Sequence, residues 1–153
     1  MNTAIAIVSH PLLLNKDGRR DCILRQEGAP KNQTVPLFDH HDLASEPIGF
    51  VELEYTTIAT INDENLCFVA GQVHTHLPLE RNQAVSISAP LIREDGVNDI
   101  LGDIIEVSLV DKASLDGCLV LDVNELIPVI QGLYLNAPSI VDRLKLELAH
   151  SKV

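Results

Sequence analysis

Between Phe50 and Thr75 the chain reads as two long extended runs around one polar turn, and no other feature limits its fold as tightly. In Phe50 to Ile61, Glu52 and Glu54 alternate with Val51, Leu53 and Tyr55, the period of two that gives a strand one polar and one apolar face. Asn62-Asp63-Glu64-Asn65 supplies a turn, and Leu66 to Thr75 returns as the partner, so the segment is expected to be a β-hairpin. Six further strands are expected around it: Ile5–Val8, Cys22–Arg25 after the turn Asn15-Lys16-Asp17-Gly18, Val35–Phe38, Ala84–Ala89, Ile104–Val110 and Cys118–Asp122. Pro36 marks the third of these six as an edge strand or a strand start.

Helical signals gather in the last quarter. Asp122 or Asn124 can cap a helix running through Glu125 to Gln131 and ending before Gly132, with Pro128 tolerated in its first turn. A second helix is expected after Ser139, with Asp142 completing a short capping box and Ile140, Val141, Leu144 and Leu148 forming a core-facing stripe. Helices do not alternate with strands, so the expected class is mainly β (α+β), a barrel or sandwich with helices in the C-terminal quarter. The 153 residues suit a single domain, 1–153, within which Gln26–Thr34, carrying Gly28 and Pro30, reads as an exposed loop.

Composition narrows the function classes. Hydrophobic residues at 46% provide a core without disulfides, and the three cysteines, Cys22, Cys67 and Cys118, are an odd number at wide spacings, read as reduced, buried thiols. No apolar run reaches the roughly 18 residues of a membrane helix. Met1–His10 lacks a basic start and a small-residue cleavage site and runs into Pro11, so it reads as a strand rather than a signal peptide. Eleven basic residues against 22 acidic ones give a net charge of −11. Phosphate backbones repel such a surface, so neither nucleic acid nor a membrane is expected as a partner, whereas a basic protein surface suits it.

Four polar groups interrupt the apolar strands. Asp39-His40-His41-Asp42, followed by Pro47-Ile48-Gly49, ends an extended segment with two histidines flanked by acids, a setting that suits a general base or an ordinary polar loop. Ser86 and Ser88 share one face of Val85–Ala89, where a serine is a nucleophile only if a base reaches it. Glu106 and Ser108 share one face of an otherwise apolar run, and a buried Glu there needs a partner, which a histidine would supply. His74 and His76, at i and i+2, would suit a zinc ion if His41 or Glu80 arrived as a third ligand.

Taken in order, these segments resemble the prohead maturation proteases of tailed phages (the HK97 type). Val35-Pro36-Leu37-Phe38-Asp39-His40-His41-Asp42 with Pro47-Ile48-Gly49 is similar to that family's histidine block, Val85-Ser86-Ile87 to its nucleophile block, and Ile104–Asp111, reading IIEVSLVD, to its acid block. The resemblance spans roughly Asp17 to Leu121. It implies a β-barrel of the herpesvirus-protease type, His41 as general base, Ser86 as nucleophile and Glu106 as the residue that orients the base. His74 or His76 is the alternative third member. It implies no cofactor and no metal. The implied function is a serine endopeptidase that cuts scaffold or capsid protein segments during head assembly, in the host cytoplasm, within or on the phage head. The major capsid protein or scaffold is then the partner, with homo-oligomerisation left open. Ser88-Ala89, followed by Pro90, stands where the family carries Gly-Phe after its nucleophile, and the alternative expectation is a non-catalytic head protein on the same fold, a decoration or cement protein.

Overall fold

The structure, a computed structural model, describes residues 1–26, 32–134 and 137–149. Among them, ten strands precede two helices: β1 (Asn2–Ser9), β2 (Arg20–Gln26), β3 (Asn32–Asp39), β4 (Gly49–Ile61), β5 (Glu64–Thr75), β6 (Ala84–Ser88), β7 (Leu91–Asp95), β8 (Asn98–Leu101), β9 (Glu106–Val110), β10 (Val120–Leu121), α1 (Val123–Tyr134) and α2 (Ala137–Ala149). The chain is thus mainly β with its helices at the C-terminal end, as its pattern implies. Most of the loop expected over Gln26–Thr34, from 27 to 31, lies outside the described residues.

The hairpin β4–β5 organises the rest. Ile61 pairs with Glu64, so the turn is only Asn62-Asp63, both left-handed at φ 51° and 65°. Asn and Asp tolerate that conformation, and a two-residue turn of this hand matches the twist of the strands. Glu64 and Asn65, expected in the turn, already belong to β5. The other edge of β5 is shared. Its C-terminal half pairs with β1 from Asn2↔Thr75 to Ser9↔Val69, and its first residues pair with β2 from Leu24↔Leu66 to Gln26↔Glu64.

The ladder runs β6-β9-β3-β4-β5-β2-β8-β7, with β1 and β10 branching off it. It is an open sheet, not the closed barrel that the family resemblance implies. The reason lies in β10, which is two residues long and too short to form a ladder with β6. An isolated bridge, Ala84↔Leu119, stands there instead, with Asn82 N–H donating to the Val120 carbonyl and Val120 N–H to that of Gln83, each at 2.9 Å. Pro36 is a second correction. β3 is interior, between β4 and β9, and pairing with β9 begins only at Leu37↔Val107. The missing N–H of Pro36 therefore falls where that ladder has not yet started.

The hairpin of β7 and β8 was not legible. Arg93, Glu94 and Asp95 hide its alternation, and β8 is four residues long. At the C-terminus, Asp122 is the cap of α1, its Oδ1 accepting the Glu125 N–H at 3.0 Å. α1 continues through Gly132 instead of stopping before it, and α2 begins two residues ahead of Ser139.

Three apolar clusters fill the interior. The largest lies along the inner face of the main sheet and includes Val35, Leu37, Val51, Leu53, Val85 and Val107. The second packs the expected stripe of α2, with Leu144 and Leu148 buried and Ile140 and Val141 partly so, against Cys22, Leu66 and Ile100. The third sets Leu126 and Val129 of α1 over Ile7 and Phe68. Each fully buried Leu or Ile contributes about 1.5–3 kcal/mol of transfer free energy. The first of these clusters, through Val35, Leu37, Val85, Val107 and Leu109, holds β3, β6 and β9, the strands that carry the candidate site, from beneath.

Candidate active site

On β9 the apolar residues Val107 and Leu109 face the core, so Glu106 and Ser108 project from the other side of the sheet. Antiparallel pairing sets Ser88 of β6 opposite Glu106 and Ser86 opposite Ser108. Cross-strand partners share a face, so the four side chains form one polar square on the sheet. Glu106 is 2% exposed and Ser108 fully buried, while Ser86 and Ser88 are half-buried.

β3 delivers the histidine from the other flank. Its parallel register with β9 ends at Asp39↔Leu109, and the His40 N–H donates to the Leu109 carbonyl at 2.9 Å. His40 and His41 then take left-handed backbone angles, φ 49° and 58°. Non-glycine residues adopt these sparingly, at a cost of about 1–3 kcal/mol each. The double reversal sends the His41 ring back along β9, and its Nδ1 lies 2.5 Å from Glu106 Oε1.

The carboxylate of Glu106 is therefore held on both oxygens. Ser88 Oγ donates to Oε1 at 2.6 Å, alongside His41 Nδ1, and Ser108 Oγ donates to Oε2 at 2.7 Å. Ser108 Oγ also accepts the His41 backbone N–H at 3.0 Å. A buried carboxylate needs such partners. With Nδ1 on the acid, Nε2 is the nitrogen that can act as a base, and within the described residues it makes no hydrogen bond.

Of the expected site residues, the structure brings His41 and Glu106 into direct contact. Ser86 sits on the same face one cross-strand pair away, without a hydrogen bond from its hydroxyl among the described residues. Ser86 and Ser88 line a cleft of about 410 Å³ that also includes Ser9, Lys16 and Asp21. The sequence placed Ser108 on the face of Glu106 but gave it no role. The signal was there, since two polar residues at i and i+2 in a buried run have to satisfy each other or a neighbour.

His74 and His76 are elsewhere. His74 stacks on Phe50 with ring centroids 4.6 Å apart, its Nδ1 is 3.1 Å from Thr3 Oγ1, and its Nε2 is 2.9 Å from Glu52 Oε1. His76 is exposed beyond the end of β5. Neither is hydrogen-bonded to His41 among the described residues; the His41 ring meets Glu106 instead. Among the described residues no group of three His, Cys, Asp or Glu side chains is arranged to hold a metal ion, so the zinc set that the spacing suggested does not assemble. Glu80 is exposed.

The electrostatics around the site are specific. His40, next to His41, has Nδ1 2.5 Å from Asp39 and Nε2 3.2 Å from Asp111, and its pKa is raised by the hydrogen bond to Asp39 first and to Asp111 second. It links the turn that carries His41 to the end of β9. The three cysteines are free and buried, and burial pushes their thiols up to about 12 for Cys22, about 11 for Cys67 and about 12 for Cys118. Thiols so held are poor nucleophiles. The square and His41 together present hydroxyl, carboxylate and imidazole, the parts of a serine acyl-transfer site. No family model, curated protein or solved structure matches the chain.

Proposed function

We propose that the chain is a serine endopeptidase of the tailed-phage prohead maturation type, with a fold related to the herpesvirus-protease barrel. One observation carries this reading: the imidazole of His41 meets the buried carboxylate of Glu106 at 2.5 Å on the sheet face that also presents Ser86. In this reading Ser86 Oγ attacks the scissile carbonyl, His41 Nε2 takes its proton and later gives it to the leaving amine, and Glu106 steadies the imidazolium. The order of the histidine, serine and acid blocks along the chain supports the family. The bridge at Ala84↔Leu119, which draws β6 toward the strand beside β1, supports a barrel-like origin. The substrate is a scaffold or capsid protein segment, cut during head assembly in the host cytoplasm.

A second reading has its own observation. Ser86 and His41 are not hydrogen-bonded to each other among the described residues, and Ser88-Ala89-Pro90 follows the serine. Those features favour a non-catalytic head component, a decoration or cement protein, in which the pair is inherited structure. Intact-mass spectrometry separates the two. The chain is incubated with its own major capsid or scaffold protein, beside its Ser86→Ala variant. Discrete cleavage that disappears in the variant is the expected result. Unchanged masses after long incubation would replace the protease with the head component.

A further inference from the structure

Ser108 has no contact with the cleft, yet its single hydroxyl spans both halves of the His41–Glu106 pair. Its proton goes to Glu106 Oε2 at 2.7 Å and its lone pair accepts the His41 backbone N–H at 3.0 Å. The hydroxyl cannot drift, since Ser108 is fully buried and its backbone is paired on both sides, to Phe38 of β3 and to Ser86 of β6. The two ends it joins are the ones most in need of fixing. His41 follows another left-handed residue, a backbone that persists only where its surroundings hold it. Without Ser108 the Glu106 carboxylate would be held through Oε1 alone, by His41 and Ser88, and its buried Oε2 would lose the donor that now engages it.

We infer that Ser108 is a positioning residue, which sets the His41 ring against the Glu106 carboxylate by anchoring the main chain of one and the free oxygen of the other. Its relevance to catalysis rests on the protease reading, but the positioning itself does not. With Ser108→Ala, Oε2 loses its donor and the His41 N–H its acceptor at the same time. The ring then samples other orientations, and displacement of a reacting group by about 1 Å lowers turnover by about 100-fold.

The test reads geometry and turnover separately in the purified chain. A short imidazole–carboxylate hydrogen bond gives a far-downfield Nδ1 proton resonance. The wild-type chain is expected to show it, and Ser108→Ala, folded by circular dichroism, is expected to lose it. On a capsid-derived peptide, kcat is expected to fall about 100-fold with KM unchanged. An alanine variant that keeps the resonance and kcat overturns the inference. If the wild-type chain cuts nothing but Ser108→Ala still loses the resonance, the positioning role stands and the protease reading fails. Should the alanine variant unfold, Ser108→Thr, which keeps the hydroxyl, is expected to retain the resonance, and its loss in a folded threonine variant also overturns the inference.

Discussion

His41 Nδ1 and Glu106 Oε1 are 2.5 Å apart although 65 residues separate them in the chain. Two consecutive left-handed residues at the end of β3 and a parallel pairing of β3 with β9 are what bring them together. The acid is buried and the imidazole partly exposed, 2% against 37%, so the pair has a fixed inner end and an accessible outer one. That asymmetry is what a general base requires, and it sets the expected behaviour of variants at each end.

Glu106→Gln keeps the shape of the side chain and removes its charge. The amide can still meet Ser88 and Ser108, so the fold is expected to survive with a modest fall in melting temperature. Turnover on a capsid-derived peptide is expected to drop by about 10⁴, the loss seen when the acid of a hydroxyl–imidazole–acid triad becomes an amide. A variant that cuts at the wild-type rate would remove Glu106 from the mechanism.

Much of this site is legible in the sequence because its residues break a pattern. Glu106 and Ser108 are polar in a run that is otherwise apolar, and a strand's period of two puts them on one face whatever the rest of the fold does. The hairpin β4–β5 is legible for the converse reason, since Glu52 and Glu54 keep the alternation of a half-buried strand. What the sequence hides is tertiary. The reversal at His40 and His41 leaves no trace in composition, since neither residue is Gly or Asn. The place of Pro36 inside the sheet depends on where β9 begins, which is set much later in the chain. His74 looks like a metal ligand or a triad member because spacing cannot tell which neighbours a sheet supplies. Those neighbours are Thr3, Phe50 and Glu52.

His10 gives the fold a defined sensitivity to acid. It is fully buried, its Nδ1 accepts the Leu12 N–H at 3.2 Å and its Nε2 donates to the Asp116 carbonyl at 2.8 Å, so it is held neutral. Its pKa lies below 6.5, lowered chiefly by burial. Above pH 6.5 the group is neutral folded or unfolded. Below it the unfolded chain takes up a proton that the folded chain does not. Stability is therefore expected to fall as pH drops from 6.5 toward the folded pKa, by up to about 1.4 kcal/mol per pH unit. Urea melts between pH 7 and pH 5 measure it. His10→Asn, which offers a donor and an acceptor but does not titrate, is expected to flatten that dependence, and an unflattened slope would assign it to other groups.

Gly49 is required by a close approach. A Cβ built there would lie 2.0 Å from the His74 carbonyl oxygen and 3.1 Å from Thr75 Cα, both backbone atoms of the paired strand β5. Gly49→Ala must push β4 and β5 apart at the end where β3 also pairs, Leu37↔Gly49. A loss of about 1–3 kcal/mol is expected, the usual range for overpacking, with part of it felt at His41 through β3. Denaturant melts give the number, and a variant as stable as wild type would mean that the two strands can separate there without cost.

Covalent labelling decides which nucleophile is active. The thiols of Cys22, Cys67 and Cys118 are buried and raised to about 12, about 11 and about 12, so the reactive thiolate is scarce at neutral pH. Iodoacetamide is expected to leave the folded chain unmodified and to modify all three only after denaturation. A serine-directed fluorophosphonate needs an activated hydroxyl. Ser86 is the hydroxyl of the polar square free to receive activation, because Ser88 and Ser108 already donate to Glu106. One adduct, mapped to Ser86 and absent from His41→Ala, is the expected outcome. An adduct on Ser88 would move the nucleophile two residues along β6, and its retention without His41 would show that the histidine is not the base.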